Sequence, residues 1–327
     1  MSSLPRSLAV LAALALSPLA FAEVEVKKLD DRVRVEIGGK LFTEYRFTGA
    51  PHVYYYPLIG PGGAKMTRAW PMDDAPGEEH DHPHHRSLWF SHGLVNGVDF
   101  WSEDTSHGTR KPKHPIGKIE HDKIVEVKSG KTGVVRASQK WVAPDGSVPL
   151  TSVQTLTVHD RPDTERVFDF EIALTAGAKD VLLGDTKEGT FGIRIAESMR
   201  LKGAKGQPSD GHIANSEGDA DDKAWGKAAK WVDMSGPVGG KVLGIAVFDH
   251  PSNLRHPTRW HARDYGLFAA NPFCMHEMDK TLAAGAADHT IKAGETLTLK
   301  YRVFIHEGDA AAAKVAERFA DYAGTSK

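Results

Sequence analysis

The sequence predicts a mostly β protein, a large antiparallel β-sandwich with one helix near its C-terminus. Three observations lead to this fold class. Apolar and polar residues alternate along many short segments, clusters of Gly, Pro and Asp separate those segments, and helical periodicity is convincing only near the end. Antiparallel strands that lack crossover helices bury their apolar faces by packing one sheet against another. We therefore expect two facing sheets.

The start of the chain has the composition of a cleavable export signal. Arg6 precedes the apolar run Leu8–Leu16, and Ala20 and Ala22 place small residues before the expected cleavage point. The apolar run is shorter than the roughly 20 residues that a membrane-spanning helix needs. We expect a Sec-type signal peptide over 1–22, a periplasmic or extracellular location, and a single sandwich domain over 23–327 with no membrane span.

The first strands are predicted at the start of the mature chain. Glu23–Val26 alternates like a first strand, and Val33–Ile37 and Leu41–Phe47 read as the arms of a hairpin around Gly38-Gly39. Four longer alternating segments, separated by turn residues, then predict an antiparallel meander: Lys118–Val127, Val134–Val142, Val153–Val158 and Val167–Leu174.

The second half of the chain predicts three further strands and the helix. The strands are expected at Phe191–Ile195, Val242–Phe248 and Leu297–Ile305. Asp309 can cap a helix that runs to Tyr322, with an apolar stripe along one side. Two polar stretches rich in Gly, Pro or Asp, Pro71–Pro83 and Gly203–Ala224, predict long loops.

Composition narrows the possible partners. The 327 residues carry a formal net charge of −2, so the chain lacks the basic excess that nucleic-acid binding favours. Cys274 is the only cysteine, which excludes an intrachain disulfide and predicts a buried, inert thiol. No serine-hydrolase elbow, phosphate loop, dinucleotide fingerprint or zincin motif occurs in the sequence.

The first candidate site is a histidine cluster. Of seventeen histidines, five fall within thirteen residues: His80, His82, His84, His85 and His92. Histidine is the usual acid or base near neutral pH and a common metal ligand. Strand alternation predicts His84, Arg86 and His92 on one face and His85 and Trp89 on the other. We expect His84, His85 and His92 to act in proton transfer, with Arg86 and Trp89 beside them to bind substrate.

Metal binding is the alternative interpretation of the same cluster. His80, His82 and His84 are the candidate ligands, and a carboxylate such as Asp81 can complete a two-His-one-carboxylate set. No spacing here is diagnostic. The cofactor is therefore unassigned, with a divalent metal as one hypothesis.

Two more segments carry candidate chemistry. In Leu183–Arg194, turns flank Glu188 and could hold its carboxylate beside a cleft, with Arg194 nearby; a solvated surface hairpin is the alternative. Between 249 and 273, aromatic and hydrogen-bonding residues interleave in a loop that follows a strand. Sugars need flat apolar faces as well as directional donors and acceptors. This segment therefore predicts substrate contacts from Asn253, Trp260, His261, Arg263 and Asn271.

These segments resemble a bacterial family of unknown function labelled PmoA-like. The similar stretches are Asp81–Trp101, Gly184–Glu197, Asp249–Phe273 and Trp225–Gly236. The label suggests a methane monooxygenase subunit, a multi-span membrane protein. The mature chain has no apolar run of about 18 residues, so we do not expect methane oxidation. The family is similar to galactose-mutarotase-like β supersandwiches, and its members occur among carbohydrate-degradation genes.

The resemblance implies a supersandwich fold and a role with carbohydrate. Mutarotase-like enzymes move protons at the sugar ring with a His and a Glu, but no motif here aligns with their catalytic positions. Our leading prediction is an exported carbohydrate-active enzyme, an epimerase, lyase or hydrolase, that uses His and Glu acid–base chemistry on a sugar or modified sugar. The rivals are a non-catalytic glycan-binding protein, a metal-dependent enzyme centred on His80–His92, and a structural envelope protein.

Overall fold

In a computed structural model, which describes residues 23–108, 111–204, 207 and 209–324, the chain forms two eight-stranded antiparallel sheets. The predicted signal peptide lies outside the described residues. Sheet A has the strand order β1-β2-β3-β4-β5-β11-β16-β15, sheet B has the order β12-β13-β14-β18-β9-β8-β7-β6, and β10 pairs with β17 as a small ribbon. The predicted antiparallel β-sandwich is confirmed.

The strands of sheet A come from four separate parts of the chain. Their bounds, in chain order, are β1 Val24–Lys28, β2 Arg32–Ile37, β3 Lys40–Arg46, β4 Tyr54–Tyr55, β5 Leu88–His92, β11 Gly189–Arg194, β15 Arg259–Ala262 and β16 Leu267–Asn271. The β2–β3 pair is the hairpin predicted around the glycine pair. Sheet A thereby brings all three candidate segments of the sequence into adjacent strands.

Sheet B contains the predicted meander and two of the later predicted strands. Its strands are β6 Lys118–Lys128, β7 Thr132–Val142, β8 Leu150–His159, β9 Glu165–Ala176, β12 His212–Asn215, β13 Trp231–Val238, β14 Lys241–Asp249 and β18 Thr296–Glu307. The ribbon strands are β10 Val181–Leu183 and β17 His289–Ile291. Strand β12 lies inside Gly203–Ala224, so part of that predicted loop is a strand instead.

The main hydrophobic core fills the space between the sheets. Phe90, Phe191 and Trp260 from sheet A pack in the same cluster as Phe170 and Tyr301 from sheet B. The Phe191 ring stacks on Phe170 and on Tyr301, with centroids 4.7 and 4.8 Å apart. Burial of these aromatic faces contributes to holding the sheets together.

The C-terminal helix covers the outer face of sheet B, but it begins later than predicted. Helix α1 spans Val315–Gly324, and Phe319 and Tyr322 pack against Phe248. Asp309 does accept a hydrogen bond from the backbone N–H of Ala312. However, Lys314 has a left-handed backbone with φ of 56°, which separates that capped turn from the helix. No helix among the described residues is long and apolar enough to cross a membrane.

Candidate functional site

The site begins with a row of side chains on the outer face of sheet A, the face turned away from sheet B. The strand register aligns Trp89 with Gly192, Gly192 with Ala269, and Ala269 with His261. Two small residues in the middle of the row leave room for the Trp89 ring, which lies over Gly192. A Cβ at Gly192 would lie 2.8 Å from the Trp89 ring, so only glycine fits there.

The structure has a polar cavity of about 490 Å³, which is lined by His261 at one end of this row. The three segments singled out in the sequence converge on it. Its lining includes six of the predicted site residues: His82, His84, His85, Glu188, His261 and Arg263. A concave polar space of this size fits a small polar ligand.

A buried arginine fixes the long loop that carries the first histidines. Arg68 is fully buried, and its guanidinium donates to the backbone carbonyls of Trp70, Glu79, Asp81 and His82 and to the Asp81 carboxylate. Each guanidinium N–H that meets a carbonyl satisfies a group that would otherwise be buried without a partner. The predicted loop Pro71–Pro83 is therefore tied to a fixed point beneath the cavity.

Asp81 is the shared counter-charge of that network. Its carboxylate also accepts from Arg194 at 3.0 Å and contacts Nδ1 of His82 at 2.7 Å. Burial opposes ionisation of Asp81, but the hydrogen bond from His82 and the charges of Arg194 and Arg68 outweigh it and lower its pKa. Asp81 thus stays ionised and holds two buried arginines and one cavity histidine in place.

Four rings form a parallel column along one wall of the cavity. Tyr265 stacks on His82 with centroids 5.0 Å apart, His82 on His85 at 4.8 Å, and His85 on Trp89 at 5.3 Å. Arg194 lies over the Tyr265 ring at 5.0 Å. Because each ring is braced by the next, the two histidines have little rotational freedom.

Two buried histidines present opposite chemistry to the cavity. Arg194 can only donate, so Nδ1 of His85, 3.3 Å from its guanidinium, accepts and the ring proton resides on Nε2. In His261 the reverse holds, because Nδ1 donates to the Lys187 carbonyl at 3.0 Å. Nε2 of His261 is then a lone-pair acceptor, and it is buried without a hydrogen-bond partner among the described residues. One imidazole can donate to a ligand and the other can accept.

Both imidazoles are neutral at physiological pH. Burial, then the charge of Arg194 and the neighbouring histidines, lowers the pKa of His85 well below its usual value. Burial, with help from Arg263 and Lys187, lowers the pKa of His261 to about 3. A histidine with so low a pKa is a weak base. The more effective proton acceptor in the cavity is consequently a carboxylate.

Glu188 supplies that carboxylate. Its side chain is about one-third exposed, and Oε1 lies 3.0 Å from the ammonium of Lys187. Lys187 lies in turn 3.8 Å from Glu277, whose carboxylate also accepts the Lys187 backbone N–H. Burial opposes the charge on Lys187, but the two carboxylates raise its pKa. Glu188 thus lies beside the Lys187 ammonium at the edge of the cavity, where a ligand can reach it.

Other predicted site residues lie outside the cavity lining. The sequence predicts that Arg86 binds substrate. Instead, Arg86 forms a two-pronged ion pair with Glu103, at 2.7 and 2.8 Å, and does not line the cavity. Burial opposes ionisation of Glu103, yet Arg86 and His52 lower its pKa to about 2. His92 is also buried away from the cavity, where its Nε2 donates to the Gly184 carbonyl at 2.9 Å. The predicted common face of His84, Arg86 and His92 therefore does not form.

The third segment also differs from prediction in three positions. Trp260 offers no open stacking face, because it is fully buried in the core and donates Nε1–H to the Ala229 carbonyl. Asn253 uses its amide to join Asp249 to the backbone of Lys300. Asn271 donates to the Thr186 carbonyl at 2.9 Å. These contacts fix the loops, and none of the three side chains lines the cavity.

Trp89 and Arg194 lie directly beneath the lining residues. Both are buried, and both contact His85, one by stacking and one through Nδ1. The prediction that both residues contact the substrate is therefore wrong, because neither lines the cavity. They orient the histidine that does line the cavity.

The proposed metal ligands do not assemble. His80 stacks on Trp70 with centroids 4.0 Å apart and contacts Asp74, whereas His82 and His84 line the cavity. Within the described ranges, no three His, Cys, Asp or Glu side chains are grouped so as to hold a metal ion. The buried Cys274 agrees with the sequence prediction, since burial raises the pKa of its thiol to about 12.

The lining residues that the sequence did not single out include Tyr265 and Lys187. A usable signal existed for Tyr265, because His261, Arg263 and Tyr265 are spaced by two residues and alternation places such residues on one side. Lys187 had no such signal. Its role depends on a carbonyl that meets His261, which only the fold reveals.

Comparisons with known proteins place the chain in a family without assigning an activity. Residues 32–320 match a family described as a family of unknown function, DUF6807. Membership of a family of unknown function is thus confirmed, and the PmoA-like naming is not. No curated protein sequence matches the chain.

Solved structures with partial similarity include carbohydrate-active proteins. A polysaccharide lyase aligns at 13% identity and a TM-score of 0.32, covering 90% of this chain and 34% of the lyase. A glycoside hydrolase family 97 enzyme from Pseudoalteromonas sp. strain K8, in complex with acarbose, aligns at 10% identity and a TM-score of 0.34. That alignment covers 89% of this chain and 35% of the glycoside hydrolase. This chain therefore spans about a third of the length of each of these two proteins.

A shorter neighbour is a GalM/aldose epimerase homologue from C. elegans. It aligns at 8% identity and a TM-score of 0.32, covering 88% of this chain and 99% of the homologue. At such identities and scores these neighbours carry no information about the reaction.

Proposed function

Because the chain belongs to the DUF6807 family, whose function is unknown, we propose a function from its own cavity: a carbohydrate-active enzyme that moves protons at a sugar. The observation that carries this proposal is the pairing of two neutral imidazoles of opposite hydrogen-bonding sense with an accessible carboxylate in one cavity. Sugar hydroxyls are both donors and acceptors, so they match such a lining.

The residues take separate roles in this proposal. Glu188 accepts a proton from the substrate and returns it, because its carboxylate is about one-third exposed and lines the cavity together with the two imidazoles. His85 donates through Nε2–H and His261 accepts through Nε2, so the two orient hydroxyl groups without changing charge. A neutral imidazole can also stabilise negative charge that develops on oxygen. Epimerase, lyase and hydrolase reactions all fit this arrangement.

We also propose that the protein works outside the cytoplasm, as a periplasmic or extracellular protein. The support is the order of Arg6, the apolar run and the small residues at Ala20 and Ala22. Cleavage after Ala22 would leave Glu23 as the first residue, directly before strand β1.

Proton NMR of the mature chain with a panel of sugars, uronates and keto-glycosides tests the enzymatic proposal. New product resonances are expected with at least one compound. Glu188→Gln should then reduce turnover by about 10²–10⁴-fold, the usual contribution of an acid–base residue. Glu277→Gln is the matched control, because this carboxylate lines the same cavity but is engaged by the Lys187 backbone. Its loss of turnover should be less than about tenfold.

The same experiment separates the main rival. Selective line broadening of a sugar without products would indicate a glycan-binding protein instead of an enzyme. Equal losses in the two glutamate variants would remove Glu188 from the proposed role. If no compound binds or reacts, the carbohydrate assignment itself is wrong.

A further inference from the structure

A second, smaller cavity adjoins the first and shares one residue with it. It has a volume of about 300 Å³, and its walls are formed by Trp225, Arg263, Ala262 and the carboxylates of Asp221, Asp222 and Asp264. Arg263 lines both cavities, with its guanidinium carbon 5.2 Å from the Tyr265 ring and 5.9 Å from the Trp225 ring. The arginine is thus the partition between the two spaces.

Arg263 lies at the junction of the two cavities. Among the described residues no carboxylate lies within ion-pair distance of its guanidinium, although Asp264 is its neighbour in sequence. Asp264 instead pairs with Lys202 at 2.9 Å, and Lys202 also contacts Asp222 at 3.3 Å. A guanidinium held only between aromatic rings retains its N–H donors for a ligand.

Trp225 is placed as a stacking platform. Its ring is half-buried and lines an open cavity, whereas Trp260 is fully buried and the other half-buried tryptophan, Trp70, is covered by His80. The chain around Trp225 is held to edge strand β15, because Gly226 donates its N–H to the Trp260 carbonyl and accepts from Arg259. The ring is therefore fixed at the sheet edge beside Ala262.

The lining of the second cavity has the two features that a sugar ring requires. The flat face of Trp225 can meet the C–H face of a pyranose, and the nearby carboxylates can accept hydrogen bonds from its hydroxyls. Arg263 and Lys202 offset two of the three carboxylate charges, and the remaining negative charge disfavours an anionic residue, so a neutral sugar fits better. The stacking surface expected at Trp260 from the sequence is thus provided by Trp225.

We propose that the second cavity is a saccharide subsite, and that the natural ligand is an oligosaccharide with one unit at His85 and Glu188 and a neighbouring neutral unit on Trp225. Arg263 donates to the ligand at the junction between the two units. This inference rests on the proposed carbohydrate function and adds the length of the ligand to it. A monosaccharide would leave the Trp225 subsite empty.

Isothermal titration calorimetry of the full mature chain with neutral gluco-, galacto-, manno- and xylo-saccharides of one to three units tests the proposal. For the series that binds, the affinity should rise roughly tenfold from one unit to two, about what one well-stacked ring contributes. Trp225→Ala should reduce that gain to less than about twofold. Trp225→Phe should keep most of it, because the ring face is retained. Thermal unfolding of each variant checks that the fold is intact.

The outcomes distinguish the two proposals. Monosaccharide binding with no gain for longer ligands would overturn the subsite, and so would an unchanged gain in a folded Trp225→Ala variant. Neither result touches the assignment of the first cavity. Failure of every neutral saccharide to bind, whatever its length, would overturn the subsite, and the carbohydrate function would fall with it if no uronate or keto-glycoside bound or reacted in the NMR panel either.

Discussion

Replacing Asp81 with asparagine should destabilise the fold and the cavity together. The substitution keeps the size of the side chain but removes the negative charge shared by Arg68 and Arg194, both fully buried. Removing one partner of a buried ion pair leaves an uncompensated charge and costs about 3–5 kcal/mol. We expect a loss of about 3 kcal/mol, the lower end, because Asp81 is one-third exposed and Glu197 remains 3.8 Å from Arg194.

Urea unfolding followed by tryptophan fluorescence measures this effect. For a slope near 3 kcal/mol per molar urea, the midpoint should fall by about 1 M. Asp169→Asn is the matched control, because Asp169 also binds an arginine through both oxygens, but its partner Arg302 is partly exposed. Arg302 is 24% exposed whereas Arg68 and Arg194 are fully buried, so water can solvate Arg302 after its partner is lost, and the loss of stability should be about 1 kcal/mol. If Asp81→Asn loses no more stability than Asp169→Asn, the buried arginines do not depend on a shared counter-charge.

Four further predictions address the close packing at Gly192, the acid dependence of stability, the hydrogen-bond donor of His85 and the export signal. Gly192→Ala should lower the free energy of unfolding by about 1–3 kcal/mol in urea and reduce turnover, because the new methyl group displaces the Trp89 ring. Glu103 has its pKa lowered from 4.5 to about 2, so its charge stabilises the fold above pH 4.5 and this stabilisation is lost as the pH falls toward 2; Glu103→Gln should flatten the acid limb of stability over that window. His85→Phe should keep the ring column and the melting temperature within a few degrees, yet lower turnover at least tenfold through loss of the Nε2–H donor; unchanged turnover would exclude that role. Expression of residues 1–327 in a Gram-negative host should yield a periplasmic protein that begins at Glu23 by N-terminal sequencing, and an intact N-terminus would contradict the export proposal.

The fold class could be predicted from sequence because period-two alternation is a local property. The long strands of sheet B show it clearly, as in β7 and β9, where every second side chain is buried. The short strands of sheet A do not. Strand β5 is buried at all five positions, and β11 and β16 are buried throughout. The loops that form the walls of the cavity cover the outer face of these strands. A strand that is covered on both faces loses the alternation by which it is recognised.

The composition of the three segments marked each as a candidate for chemistry, but the sequence decided neither whether they meet in space nor the phase of each side chain. In β15 the register pairs Trp260 with Ala270 and His261 with Ala269. Ala270 belongs to the core between the sheets, whereas Ala269 lies in the outer cluster with Trp89. The tryptophan therefore points inward and the histidine outward. A shift of one residue would exchange them, and nothing within the four-residue strand itself decides between the two.

The histidine cluster shows why alternation fails before a strand begins. Strand β5 starts only at Leu88, and both His82 and Ser87 have left-handed backbones, with φ of 42° and 58°. A left-handed residue turns the chain, so the positions between these two follow turn geometry and not the period of two. His84 and His85 can consequently both face the cavity although they are adjacent in sequence. The turn closed by the hydrogen bond from the His85 N–H to the His82 carbonyl thus allows two neighbouring histidines to serve one site, and a continuous strand through this segment would have directed one of them away.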